Sequence, residues 1–204
     1  MSSINTKIEL IGGKKSIMLN VYDFDKTIYD GDSSIDFYLF CLKRKKSIIL
    51  LLPKQVFAMI LYKLKIKDKE YFKSQFFSFV KKIDNIDKTV EVFWKQKIVK
   101  IKTWYKKQSK TSDVIISASP EFLLKPLEKK LKIKVIASKV SKKTGTFLGK
   151  NCYGEEKVHR FNEEFNNKKI TGFYSDSMSD LPLMKIAEHA YLVKKESVEE
   201  INVK

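Results

Sequence analysis

The stretch VYDFDKTIYDGDSS, Val21–Ser34, opens with apolar alternation and then sets four acids, Asp23, Asp25, Asp30 and Asp32, within ten positions. Together with the preceding SIMLN it reads as a buried strand ending in Asp23 and Asp25. The following IDFYLFCLKRKK begins a helix, with Ser33 or Ser34 as its expected cap. Residues two apart on a strand project to the same side, so Asp23 and Asp25 share one face. Acids gathered at one strand end repel one another unless a cation neutralises them, and carboxylate oxygens favour magnesium. The charge at this strand end therefore makes sense as a metal and phosphate site.

The rest of the chain supplies the scaffold. From the end of this motif to about Lys110 the pattern is helical: the aliphatic run after Ser47, then KEYFKSQFFSFVKK, then KTVEVFWKQKIVKIKTWYKKQSK. The texture changes at Asp113. DVIISAS reads as a strand, PEFLLKPLEKKL as a helix, IKVIAS as a strand, TGTFLGKNCYG as a turn-rich hairpin and EEKVHRFNEEF as a helix. ITGFYSD then reads as a strand, SDLPLMKIAEH as a helix and AYLV as a last strand. Such βα alternation implies an α/β fold, a Rossmann-like parallel sheet with helices on both faces. The expected organisation is a lead-in over residues 1–15 ending at Gly12-Gly13, with Met18 as an alternative start. An α/β core over 16–30 and 111–204 follows, interrupted by a helical insertion over 31–110.

Ligands of open α/β sheets collect outside the carboxyl ends of the strands. Here those ends carry Asp23, Asp25 and the nearby Thr27, then Ser117 with Ala118 behind it, then Asp176 with Asp180 after it. Lys157 opens the helix after the hairpin. A carboxylate beside bound magnesium can attack phosphorus to form an aspartyl-phosphate that water later hydrolyses. A second acid two residues on can protonate the leaving alkoxide and then activate the water. Backbone N–H groups, a serine hydroxyl and a lysine would hold the phosphoryl oxygens.

In these segments the chain resembles the haloacid dehalogenase-like hydrolases. DFDKT is similar to the first motif, DxDxT, of that family's phosphatases; IISAS is similar to the second, GEEKV to the lysine third and YSDSMSD to the fourth. The helical insertion after motif one, and the TGTFLGKNCYGEEK hairpin, look like the phosphoserine-phosphatase-like branch, where the insertion is a cap. The resemblance implies Asp23 as nucleophile and Asp25 as general acid/base, the latter also on Mg2+ through its backbone carbonyl. It implies Thr27, Ser117, Ala118 and Lys157 around phosphate. Asp176 would be a metal ligand, with Asp180 supporting it from one shell out or through water. In that branch an acid seven residues after Asp25 faces the substrate; here that is Asp32, with Asp30 and Ser33 near enough to compete and a turn or cap acid as the plain alternative. Lys26, Ala118 and Ser175 stand where the pattern has a small residue, Gly and Gly, which leaves phosphoserine itself open as substrate. The implied activity is a magnesium-dependent phosphomonoesterase acting on a small phosphorylated metabolite or a phospholipid headgroup. The alternatives are a phosphotransferase or mutase of the same architecture, a phosphoaspartate receiver, and a basic binding module without turnover.

Charge and the remaining residues narrow the function classes. Of the net +17, the segment Cys41–Lys110 carries 20 Lys+Arg against 5 Asp+Glu, and the remainder 21 against 19. Only Arg44 and Arg160 are arginines, so the base-edge and bidentate phosphate recognition that favours Arg is poorly served and no nucleic-acid partner is expected. The basic excess beside an aliphatic run broken by Pro53 instead suits contact with an anionic membrane surface. No secretory signal precedes the motif, and the expectation is a cytoplasmic protein, peripheral at the membrane through its basic cap. Cys41 and Cys152 read as free thiols, His159 and His189 as bystanders, and Phe72, Phe76, Phe77 and Phe79 as packing within the insertion.

Overall fold

The computed structural model describes residues 10–11, 14–15, 19–166 and 168–203. Within the expected lead-in, β1 (Leu10–Ile11) pairs antiparallel with β2 (Lys14–Lys15), Leu10 opposite Lys15. Met18 and Gly12-Gly13 lie outside the described residues. β3 (Asn20–Tyr22) carries the opening motif. The helical insertion follows: α1 (Ser33–Arg44), a 3-10 run over Lys46–Leu51, α2 (Leu52–Lys63), α3 (Lys69–Phe77), α4 (Ile86–Lys97) and α5 (Thr103–Gln108). Next come β4 (Val114–Pro120), α6 (Glu121–Leu124), α7 (Pro126–Leu131), β5 (Lys134–Ser138) and α8 (Glu155–Phe165). β6 (Ile170–Ser175), α9 (Leu181–Ile186), β7 (Ala187–Lys194) and β8 (Ser197–Ile201) complete the chain.

The fold is α/β. Six strands form one sheet in the order β5-β4-β3-β6-β7-β8, parallel except for the β7–β8 pair. β3 lies between β4 and β6, so the chain runs outward through β4 to β5 and then returns to the other side of β3. That reversal opens a crevice at the carboxyl ends of β3, β4 and β6, where α/β sheets hold ligands.

Strand alternation divides the core. Val21, Val114, Ile116 and Phe173 point to one face, under Phe161 of α8 and Leu183 and Met184 of α9. Their neighbours Tyr22, Ile115 and Val135 point to the other, in one apolar cluster with Phe37, Phe93 and Trp94 of the insertion. The insertion is thus fastened to the sheet by aromatic packing. The Trp94 ring stands edge-on to Phe24 and Tyr29, and its Nε1 donates to the Leu123 carbonyl at 2.6 Å. At the insertion's far end Tyr105 of α5 packs against Tyr22, and Gln108 Nε2 donates to the Tyr22 hydroxyl.

Several local expectations are corrected by tertiary contacts. The cap of α1 is Asp32, whose Oδ1 accepts from Ile35 N at 3.0 Å; neither Ser33 nor Ser34 has this role, because their hydroxyls are turned to Ser119 Oγ, at 3.4 and 3.0 Å. The helix expected through His189 stops at Ile186, since Ala187–His189 pair with Ile170–Gly172. AYLV belongs to a longer strand, and it is not the last: β8 folds back on it through Lys195 and Glu196, a turn without Gly or Asn to announce it. The expected hairpin over residues 144–154 contributes one isolated bridge, Val140 with Phe147. The final helical stretch of the insertion breaks at residues 98–102, which brace the loop after β3 through Lys102 N on Ile28 O and Asp30 N on Lys100 O, both 2.8 Å. Phe77 and Phe79 are buried as expected, whereas Phe72 faces the cavity described next.

Candidate active site

The crevice is a cavity of about 450 Å3, floored by Asp23, Asp25, Ser117, Lys157, Asp176 and Asp180 and walled by α3 of the insertion. Register explains the convergence. Tyr22 lies beside Ile115 on one side and Tyr174 on the other, and Asp23 N continues the ladder onto Tyr174 O at 2.9 Å. The residues just past these pairs therefore emerge together.

Asp23 is buried and held through both oxygens. Oδ1 accepts from Lys157 Nζ at 2.6 Å and Oδ2 from Thr27 Oγ1 at 3.2 Å. Lys157, also buried, donates a second bond to Asp180 Oδ2 at 2.8 Å, and Ser175 Oγ donates to that same oxygen at 2.7 Å. Two carboxylates against one ammonium raise the Lys157 pKa and keep it charged. Burial pushes the Asp23 carboxyl up to about 7, opposed by Lys157. Burial acts likewise on Asp176, against the pull of Lys26.

Asp25 faces a different environment. Its Oδ1 accepts from Ser33 N and its Oδ2 from Ser119 Oγ, so the carboxyl is aimed at the start of α1 and the second strand end. Burial and the nearby Asp32 charge push it up to about 6. A carboxyl poised there can hold and release a proton near neutrality.

Thr27 is wholly buried and lies behind the cavity wall, where its hydroxyl accepts from Asp176 N at 2.9 Å and reaches Asp23. The loop bearing it turns sharply: Lys26 adopts φ +61°, a left-handed conformation that costs a residue with a side chain about 1–2 kcal/mol. Ser117 Oγ accepts from Ser119 N at 3.1 Å beside the cavity. Ala118 lines the cavity and offers its carbonyl to Lys73 Nζ at 2.7 Å. Asp32 caps α1, as its plain alternative had it, and also lines the cavity.

Among the described residues, no three His, Cys, Asp or Glu side chains form a preassembled metal cage. Magnesium does not need one, because it keeps several waters and takes one or two carboxylates. The residues present fit it. Thr27 Oγ1 lies 3.2 Å from Asp23 Oδ2 and 3.5 Å from Asp176 Oδ1, which brings two hard carboxylates to one hydroxyl. Asp180 Oδ1 is buried without a hydrogen-bond partner, an acceptor that a cation or its water would satisfy.

With this geometry in hand, comparisons with known proteins give a family. A profile of the haloacid dehalogenase-like hydrolases matches residues 21–185, most of the chain. The chain belongs to the haloacid dehalogenase-like hydrolase family. Among solved structures, it is similar to a protein of unknown function from Bordetella pertussis Tohama I, with TM-score 0.71, 17% identity, and coverage of 86% of this chain and 89% of that one. It also resembles a phosphoserine phosphohydrolase-like protein from Francisella tularensis subsp. tularensis SCHU S4 (TM-score 0.52, 12% identity, 85% and 86% covered). A phospho-aspartyl intermediate analogue of phosphoserine phosphatase is similar at TM-score 0.52 and 16% identity, with 86% of each chain covered. At these identities the likeness is one of fold. A comparison with curated protein sequences finds no match.

This haloacid dehalogenase-like hydrolase also places side chains at its site that the sequence reading did not single out. Ser119 bonds Asp25. Lys73 of α3 bridges Ala118 O and Asn151 Oδ1, and burial with Lys69 beside it pushes its pKa down to about 8. Ser138 Oγ ties Ala118 O to Asn151. Ser119 closes the IISAS segment likened to motif two, two residues past Ser117, whereas nothing local marks Lys73 among so many lysines. Both cysteines are free and buried, and His159 and His189 are exposed beside Glu163 and Glu200.

Proposed function

We propose that the chain is a magnesium-dependent phosphomonoesterase working through an aspartyl-phosphate. The observation that carries the reading is the meeting of four chain segments, residues 23–26, 117–119, 157 and 176–180, on one cavity, with differently tethered carboxylates two residues apart. Asp23 and Asp176 carboxylates and the Asp25 main-chain carbonyl would hold the metal, with Asp180 behind them. When bound, magnesium supplies positive charge that lets an anionic phosphoryl group approach these acids.

A carboxylate oxygen of Asp23 attacks phosphorus, the bond to the ester oxygen breaks, and Asp25 gives its proton to the departing alkoxide. Asp25 then takes a proton from water as that water attacks the phosphoenzyme, which releases inorganic phosphate and restores Asp23. Lys157 and Ser117, with the Ala118 N–H, hold the phosphoryl oxygens in both steps. Thr27 keeps Asp23 and Asp176 in register. Lys69, Lys73, Phe72 and Asp32 on the insertion side read the leaving group, and their chemistry suits a small phosphorylated metabolite or a phospholipid headgroup.

Asp23→Asn should lower turnover of an aryl phosphate by roughly three orders of magnitude or more, the scale of a lost nucleophile. Chelation should stop the wild type, and added magnesium should restore it. Normal turnover in either case overturns the reading.

A further inference from the structure

Eleven of the seventeen large apolar side chains exposed among the described residues fall between Ile35 and Ile66, so the exposed apolar surface is concentrated in the first helices of the insertion. α2 is the clearest case. Gln55 and Ala58 face the protein: Gln55 Nε2 donates to Phe76 O and its Oε1 accepts from the Tyr38 hydroxyl. The outward side is Leu52, Val56 and Ile60 at helical spacing with Phe57 beside them, each between 40% and 59% exposed. The apolar surface extends to Leu50 at 74% before the helix and Leu64 at 62% after it. A globular helix turns its apolar stripe inward; this one turns it out.

The charge around the stripe identifies what covers it. From Phe37 to Lys67 the chain has eight basic residues, Lys43, Arg44, Lys45, Lys46, Lys54, Lys63, Lys65 and Lys67, and no acid. Two copies meeting through this face would oppose like charges, whereas an anionic surface would neutralise them. Among the described residues no helix is long and apolar enough to cross a membrane, and α2, at twelve residues, is far shorter than a span. We propose that this face seats on an anionic lipid bilayer, with the α2 stripe at the acyl boundary and the lysines among the headgroups. The face adjoins the catalytic cavity, since Tyr62 at the end of α2 stacks on Phe72, which lines it. This docking goes beyond the phosphatase reading, and its test reads binding without turnover.

The test is co-sedimentation of the full chain with vesicles of phosphatidylcholine and phosphatidylglycerol in equal parts, beside pure phosphatidylcholine. The proposal expects partitioning onto the mixed vesicles at least about tenfold above the neutral ones, weakening as salt is raised. The double variant Phe57→Ser/Ile60→Ser, and separately Lys63→Glu/Lys65→Glu, should each lower partitioning by about tenfold. These side chains are exposed and lie outside the cavity lining, so melting curves and turnover of a soluble aryl phosphate should stay at wild-type values. Equal partitioning on both vesicle types, no partitioning, or partitioning that survives both double variants overturns the proposal. So does a dimer in solution that Phe57→Ser/Ile60→Ser dissociates, because the face would then belong to a second copy. A chain that binds these vesicles but turns over no phosphate would sink the phosphatase reading alone.

Discussion

Gly145→Ala tests how the insertion is seated on the core. Gly145 adopts φ +76°, and a Cβ built there would sit 2.2 Å from Phe77 O, 2.4 Å from Phe77 C and 2.9 Å from Ser78 N. All three are backbone atoms at the end of α3, so no side chain can swing aside. Ordinary contact at 3.4 Å requires the 140s loop and α3 to part by about 1.2 Å. Along that seam Phe147 N donates to Ser74 Oγ and Asn151 N to Glu70 Oε1, both at 3.1 Å, and Lys73 Nζ to Asn151 Oδ1 at 2.9 Å. Parting by that amount takes all three beyond hydrogen-bond range, at about 1 kcal/mol each. The left-handed backbone adds about 1–2 kcal/mol for alanine. The expected loss is therefore about 4–5 kcal/mol in urea unfolding followed by tryptophan fluorescence. Gly149→Ala is the internal control: it has φ +133° but open space around its added methyl, so it should lose only the backbone contribution of about 1–3 kcal/mol. Turnover should fall further in the Gly145 variant, because Lys73 loses its anchor at the cavity. Equal destabilisation of the two variants, with equal turnover, would refute the steric reasoning.

Two further outcomes follow from the acids. Asp25→Asn should slow phosphoenzyme formation from alkyl phosphates by about 10²–10⁴-fold and from aryl phosphates much less, since only the poor leaving group needs its proton in that step, whereas hydrolysis of the phosphoenzyme should slow alike for both; single-turnover formation slowed uniformly across leaving groups would count against that role. Asp113, buried at the start of β4, has its Oδ2 on Lys110 N at 2.7 Å and its Oδ1 without a partner, and burial pushes it up to about 6. The folded state holds this proton more tightly than the unfolded chain, so the stabilisation present at acid pH is lost as pH rises from about 4 through 6. Asp113→Asn should remove that part of the slope and stabilise the protein at pH 7 by about 1 kcal/mol, after allowance for solvent screening; unchanged pH-dependent melting curves would contradict it.

The residues that floor the cavity were legible because all but Lys157, at the start of α8, lie at or just past the end of a strand with the local turn written beside it. In DFDKT the acids, the threonine and the strand occupy five consecutive positions, and a parallel ladder through Tyr22, Ile115 and Tyr174 suffices to gather such ends. Lys73 and Asn151 were illegible for the opposite reason. They are 78 positions apart, and a lysine in a lysine-rich helix carries no mark of the neighbour it will meet. Asp32 took the cap from Ser33 and Ser34 because the hydroxyls of both meet Ser119, on another segment.

By itself, the sequence determined the alternation of strands and helices, the order of the motifs and the chemistry gathered at the strand ends, since these follow from periodicity and turn residues over a few positions. Tertiary structure alone decided that Lys73 reaches the cavity and where β7 begins, because those outcomes turn on partners distant in the chain. It also decided which side of α2 faces out. A run such as IILLLPKQVFAMILY is apolar on every side, and only the placement of Gln55 against Phe76 and Tyr38 turns Val56, Phe57 and Ile60 toward solvent.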